Sequence, residues 1–344
     1  MVLDPWNPKL AAYIFMHHGY GSRNAWVIYV TNLDGPPGTQ VFERVMNDTG
    51  SDNQLTYTSM IFASINVDGA LIIPSLFWTG NNGAWVRASK ATSMVRYQGL
   101  NGYQLAEPGA ACGTHMASAG SGIVYMSTYG IGTYADRVIV FRSLVMGTDW
   151  SSAQVPWIDF ASYEAGVAAN LYPTIMHAPY EDNSSDALLY IGILGDIVQS
   201  LVRHNADTSM DDIGPLYSGH YYAPRAIHSY VGDRHLMAMV GQIGTGGTDY
   251  RLFTTDDGGD TWLDRNTPAS AATSILGGLW GWPYDEDVMV TSINSGADRG
   301  IWWCSDLLSA SQYGVTWTNF LGDWETVTGA TFTTPYNCVP VWVP

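Results

Sequence analysis

One device recurs along this chain and limits the folds open to it: a loop of small residues that feeds an apolar strand. It reads GYGSRNAWVIYV at 19–30, TGNNGAWVRAS at 79–89, GTYADRVIVF at 132–141, GGTDYRLFTT at 246–255 and SGADRGIWW at 295–303, with IVQSLVRHN at 197–205 as a degenerate sixth copy. These strands open near residues 25, 84, 137, 197, 250 and 300, a period of roughly 50–60 residues. Two-strand hairpins lie upstream, at 58–77, 111–127, 173–194, 224–243 and 274–293. A turn and a closing strand lie downstream, as at 31–45, 254–265 and 304–320. Four strands make a small sheet with two apolar faces. Such a sheet cannot bury itself, so successive sheets must stack, and ring closure removes the exposed ends.

The expected fold is therefore all-β: a six-bladed β-propeller of four-stranded antiparallel blades, one domain over residues 1–344. No long window shows a helical period with caps. Residues 11–45 supply only three strands, and the C-terminal TFTTPYNCVPVWVP is expected to add the missing strand and close the first blade. A seven-bladed ring and a pair of β-sandwiches are the alternatives.

Composition narrows the partners. Lys+Arg 14 against Asp+Glu 31 gives a net charge of −17, which disfavours nucleic acid and anionic membranes. Only Lys9 and Lys90 are lysines, so the surface relies on Asp, Asn, Ser, Thr and Gly. Fourteen Trp and 21 Tyr suit β-sheets and sugar-binding faces. Cys112, Cys304 and Cys338 fit no zinc spacing and are read as buried thiols. The N-terminal stretch shows no signal-peptide pattern, and no segment reads as a membrane span. No cofactor is expected.

The stretch TTDDGGDTW, 254–262, asks more of its residues than a turn needs. Asp and Gly supply turn conformations, but a bare turn does not require Thr255, Thr261 and Trp262 at fixed places. Thr255-x-Asp257-x-Gly259-x-Thr261-Trp262 resembles the Asp-box, or BNR repeat, of sialidase-like six-bladed propellers. Gly314-x-Thr316-Trp317 is a partial copy after an insertion, and Ser143-x-x-x-Gly147-x-x-Trp150 lacks the Asp and the Thr. The resemblance implies a structural corner: Asp257 accepting backbone N–H groups within the turn, Gly259 allowing the bend, and Trp262 packing between blades.

The resemblance also places Asp-boxes on one rim and a sialidase active site on the other. That second rim would carry the strand-opening Arg23, Arg137, Arg251 and Arg299, with Tyr222 and Arg225 on the link before an inner strand. Arginines and tyrosines so grouped suit a carboxylate or an acidic sugar. Local Asp–Arg ion pairs that serve the repeat are the plainer reading. The Arg-Ile-Pro motif of sialidases is missing, and no catalytic carboxylate pair can be picked out. His115, His177 and His228 recur on inner strands; hydrogen-bonded core histidines are expected there, with a metal as the alternative. The function expected is recognition of a glycan or protein surface, as a virion or adhesion component. It would act in a virion or outside the cell without a signal peptide, with other virion proteins as possible partners and the cytoplasm as the other location. A sialidase-like hydrolase and an intracellular assembly factor are the alternatives.

Overall fold

The computed structural model describes residues 2–3, 11–19, 22–31, 35–36, 38–48, 61–65, 68–75, 81–88, 95–101, 115–118, 122–129, 138–149, 158–159, 172–179, 188–194, 199–204, 210–214, 216–217, 220–230, 233–243, 250–268, 276–282, 285–293 and 299–329. Six antiparallel sheets follow one another along these residues. The first holds β1 (Val2–Leu3), β2 (Ala11–Gly19), β3 (Ser22–Thr31) and β4 (Val41–Asp48). The second holds β5 (Ile61–Ile65), β6 (Asp68–Ser75), β7 (Asn81–Ala88) and β8 (Val95–Asn101). The third holds β9 (His115–Ser118), β10 (Val124–Tyr129), β11 (Val138–Ser143) and β12 (Ile158–Asp159). The fourth holds β13 (Tyr172–His177), β14 (Leu189–Leu194), β15 (Gln199–His204) and β16 (Met210–Asp212). The fifth adds a strand: β17 (Leu216–Tyr217), β18 (His220–Tyr230), β19 (Asp233–Ile243), β20 (Tyr250–Thr255) and β21 (Leu263–Arg265). The sixth holds β22 (Leu276–Trp282), β23 (Asp285–Ile293), β24 (Gly300–Ser305) and β25 (Thr318–Asn319), followed by helix α1 (Leu321–Thr328).

In every sheet the strands pair in chain order. This is the up-and-down blade of a propeller, and it matches the repeat: the strand-opening copies are β3, β7, β11, β15, β20 and β24. The chain divides into two compact units, with the boundary inside β13 between Met176 and His177. In the first unit β5 lies against both β1 and β9; in the second, β18 lies against β14, β15 and β22. First strands of successive sheets are thus neighbours in the first unit; in the second, β18 lies against the middle strands of the fourth sheet and the first of the sixth.

Three expectations need correcting. The edge beside β2 is occupied by Val2 and Leu3, which pair with Ala12 and Ala11; the C-terminal stretch expected there lies outside the described residues. The fifth sheet has five strands because Leu216–Tyr217 folds back onto the long start of β18. A helix is also present: α1 spans eight residues and ends at Gly329, in the left-handed conformation (φ 66°) with its N–H on Glu325 O. So short a segment leaves no long periodic window. Its Leu321 packs with Val290 and Ile301 on the sixth sheet.

The second unit shows why its strands read as continuous apolar runs. On β19, Met237 and Met239 face the fourth sheet, beside Tyr190, Leu201 and Ile213. Their neighbours Leu236, Ala238 and Val240 face the sixth, beside Met289, Ile293 and Cys304. Both faces of the strand are buried, so alternation carries no polar side. Cys304 is a free buried thiol, and burial pushes its pKa up to about 12. Cys112 and Cys338 lie outside the described residues.

The turn from Thr255 to Trp262 satisfies itself. Thr255 Oγ1 donates to Asp257 Oδ1 (2.7 Å) and accepts from Gly259 N (2.9 Å). Asp257 also accepts from Thr261 N (2.9 Å) and Thr261 Oγ1 (2.6 Å). Burial opposes its charge, but the bonds from Thr261 and Thr255 outweigh it and hold the carboxyl down at about 2. Gly259 has φ 97°, a conformation that strains any side chain, and a Cβ there would also force Ile213 Cδ1, 2.5 Å away, to shift. Trp262 Nε1 donates to Ile213 O (2.6 Å), just past β16 of the preceding sheet.

Two other turns repeat parts of this template. In the sixth sheet, Trp317 Nε1 donates to Asn266 O (2.9 Å), just past β21, and Asp306 accepts Thr316 N (3.0 Å). In the third sheet, Ser143 Oγ accepts Gly147 N (3.1 Å) as Thr255 accepts Gly259; Trp150 lies outside the described residues. Asp257→Ala removes three accepted bonds and should cost about 2 kcal/mol, with Asp257→Asn losing less. The folded pKa lies below the unfolded one, so this contribution is present above about pH 4 and fades as pH falls toward 2. Urea unfolding of both variants at neutral pH checks it; equal losses would contradict the account.

Candidate functional site

The residues expected on the link rim are engaged differently from one another. Arg251, on β20, pairs with Asp264 on β21 at 2.9 Å. Arg299, just before β24, pairs with Glu325 of α1 at 3.2 Å. Both ion pairs stay within their own repeat, through partners further along the chain than the acids beside them in sequence. Arg225 is the extra residue of a bulge between Pro224 and Ala226 on β18 and is exposed. Arg23 and Tyr222 are placed as backbone positions, opposite His18 and Ile243. Arg137 lies outside the described residues.

A groove of about 300 Å³ opens on the opposite rim, between the fifth and sixth sheets. Thr254 and Thr255 at the end of β20 and Thr261 of the turn line it, and Leu236, Leu263 and Leu308 give it apolar walls. Asp256 and Glu286, both exposed, add two carboxylates. Arg265 also lines it and is only 7% exposed. Its Nε donates to Thr254 Oγ1 (3.0 Å) and its Nη1 to Ala310 O (3.1 Å) of the next sheet's turn. Burial pulls its pKa below the usual arginine value, and the charge of Asp287 only partly offsets this.

β21 explains the placement. Asp264 and Arg265 are consecutive strand residues, so their side chains point to opposite faces. Asp264 is buried with Arg251 as partner; Arg265 turns toward the junction with the sixth sheet. Arg265, Asp256 and Glu286 were not singled out from the sequence. Adjacent Asp and Arg on a short closing strand look solvated, and only the stacking of the next sheet buries them.

The histidines lie on the strands that begin the recurring hairpins: His115 on β9, His177 on β13 and His228 on β18. His177 Nε2 bonds Ser229 Oγ at 2.8 Å. His228 stacks edge-on against Tyr230, with centroids 4.9 Å apart. Its Nε2 is buried without a hydrogen-bond partner. Burial lowers His177 to about 4; burial, and next the charge of His177, lowers His228 to about 3. Among the described residues no group of three His, Cys, Asp or Glu could hold a metal. Gly281 on β22 packs on the His228 ring: a Cβ there would lie 2.5 Å from Cδ2. Gly281→Ala should therefore cost about 2 kcal/mol by overpacking, read as a lower melting temperature.

Among the described residues no helix is long and apolar enough to cross a membrane. No protein-family model matches the sequence, and no curated protein matches it. Solved structures do. The GH74 xyloglucanase from Xanthomonas campestris aligns with 92% of this chain and 46% of its own, at a TM-score of 0.55 and 16% identity. A PL25 ulvan lyase bound to -[GlcA(1-4)Rha3S]- aligns with 90% of this chain and 74% of its own, at 0.51 and 13%. The SapL1 lectin in complex with alpha methyl fucoside aligns with 91% of this chain and 96% of its own, at 0.46 and 12%. The chain spans about half the length of the xyloglucanase. For the xyloglucanase and the lyase the likeness is one of fold, and it agrees with the blade order described above: this is an all-β chain of antiparallel propeller-type sheets.

Proposed function

We propose that this chain is a surface-recognition protein: one six-bladed Asp-box β-propeller domain over residues 1–344 that binds a glycan without turning it over. The groove beside Arg265 carries the reading. Hydroxyls, two exposed carboxylates and leucine walls in about 300 Å³ suit a sugar ring, whose hydroxyls need donors and acceptors and whose C–H faces need apolar contact. The three related turns, each built around Thr255, Ser143 or Asp306, support the Asp-box assignment. Two of the fold neighbours bear the names of polysaccharide-acting enzymes, a xyloglucanase and an ulvan lyase. On the link rim, exposed Arg225 with Tyr222 are the remaining ligand-binding candidates of the second unit, and Arg23 and Arg137 those of the first. An acidic, lysine-poor surface fits a virion or adhesion component.

Asp256 and Glu286 share the groove, which favours a glycoside hydrolase as the second reading. A glycan array and a fluorogenic sialoside, run on the same preparation, separate the two. Retention of a glycan with no fluorophore release is expected. Turnover of the sialoside would replace recognition by hydrolysis, and co-purification with one partner complex, without glycan binding, would favour an assembly factor.

A further inference from the structure

The junctions on the two sides of the fifth sheet use the same kind of bond and differ in charge. At the fourth–fifth junction, Arg203 Nη1 donates to Gly258 O of the next turn (2.9 Å). Its Nη2 meets Asp211 (3.0 Å) and Asp260 (2.9 Å), so the guanidinium is neutralised from both sheets. At the fifth–sixth junction, Arg265 Nη1 donates to Ala310 O of the next turn (3.1 Å). No carboxylate lies within ion-pair distance of Arg265 among the described residues, and no bond from its Nη2 is made there. Arg265 is nonetheless the more deeply buried of the two, and it borders the open groove.

We infer that the groove seats an oxyanion, the carboxylate or sulfate ester of an acidic glycan, on Arg265, in the place that Asp260 holds against Arg203 at the neighbouring junction. The inference rests on the glycan-recognition reading and narrows it to a ligand class. Arg265 is buried with only the charge of Asp287, beyond ion-pair distance, to offset it, so it carries a desolvation cost that an incoming anion relieves. The guanidinium is already oriented by Thr254 and Ala310, so little side-chain freedom is lost on binding. An N–H left over beside an open groove gives a charge-assisted bond to an oxyanion. Asp256 and Glu286 repel such a ligand, but both are exposed and screened by solvent, whereas Arg265 is not. The Asp256 carboxylate and Thr261 Oγ1 are placed to accept from the ring hydroxyls around the acidic group.

The test uses the full chain against glycans in matched neutral, uronic-acid and sulfated forms, with Arg265→Lys, Arg265→Gln and Glu286→Gln. The acidic forms should bind and their neutral matches should bind at least about tenfold more weakly. Arg265→Gln should lose acidic binding by about thirtyfold or more, and Arg265→Lys by less, because a point charge keeps the attraction without the planar donors. Glu286→Gln should hold or tighten acidic binding by about two- to threefold. Uronic-acid binding without sulfate binding, or the reverse, names the oxyanion. Should Arg265→Gln not fold, the wild-type chain serves: glucuronate should raise its melting temperature above that seen in a neutral glucoside at equal ionic strength, and Arg265→Lys should blunt the rise. Equal binding of neutral and acidic forms overturns the inference and leaves glycan recognition standing. So does a loss on Glu286→Gln with none on folded Arg265→Gln. No glycan binding of any kind overturns the recognition reading itself.

Discussion

Trp262→Ala will lower the unfolding free energy by about 3–5 kcal/mol, a loss in the range of a large core truncation. The indole packs against the cluster of Tyr190, Leu201 and Ile213 from the fourth sheet and Met237, Met239 and Phe253 from its own. Its N–H also answers the Ile213 carbonyl at 2.6 Å. Trp262→Phe separates the two contributions: it keeps most of the apolar contact and leaves the carbonyl without that donor, a loss of about 1–2 kcal/mol. Trp317→Phe should behave alike, since Trp317 reaches Asn266 O in the same way at the next junction. The two Phe replacements touch different junctions and should add. Guanidinium unfolding of the two single variants and the double variant reads all three values. A Trp262→Phe chain as stable as its parent would mean that the indole bond does not tie the sheets.

That clamp shows what a sequence like this displays and what it hides. The Thr255–Trp262 corner was legible because every residue of the template is present with no insertion, and each makes the bond its position implies. Its sixth-sheet relative was legible only in its second half. Asp306 accepts Thr316 N across ten residues where Asp257 accepts Thr261 N across four, so fixed spacing cannot find it. Strand order was legible because each sheet is assembled from consecutive segments, which leaves the period intact. Helix α1 and the two-residue strands β1 and β17 were not, since elements that short carry no period of their own.

The groove was hidden for a different reason. Asp264 and Arg265 look alike as neighbours in a polar stretch. Their fates diverge only because one face of β21 meets Arg251 of its own sheet and the other meets the turn of the next. Burial of that kind comes from stacking, which the sequence announces in general without naming which charges it encloses. The strand-opening arginines show the converse. Their pattern was plain, yet Arg251 and Arg299 spend their charge on Asp264 and Glu325, partners set by strand register and by a helix that periodicity does not display.

Acid should unfold this chain well above the pH at which its carboxylates are protonated. His177 and His228 are neutral in the fold, lowered to about 4 and about 3 chiefly by burial. An unfolded histidine titrates near ~6.5. As pH falls below that value the unfolded chain takes up protons that the folded chain refuses, so stability drops steadily from about pH 6.5 toward pH 4. Each such site contributes a slope approaching about 1.4 kcal/mol per pH unit, and the pair about twice that between pH 4 and 6. The surroundings give no relief: His177 meets Ser229, and His228 is enclosed by Tyr230, Gly281 and His177 itself, with no acid in hydrogen-bond contact with either ring among the described residues. His228→Leu should halve the slope while changing stability at pH 7 by less than about 1 kcal/mol, because the nitrogen it removes has no hydrogen-bond partner to abandon. Asp257 acts in a separate window, below about pH 4, so its loss cannot imitate the effect. Urea midpoints measured at half-unit steps from pH 7.5 to 4 decide the matter. A flat profile in the parent, or one unchanged by His228→Leu, would place these histidines in water.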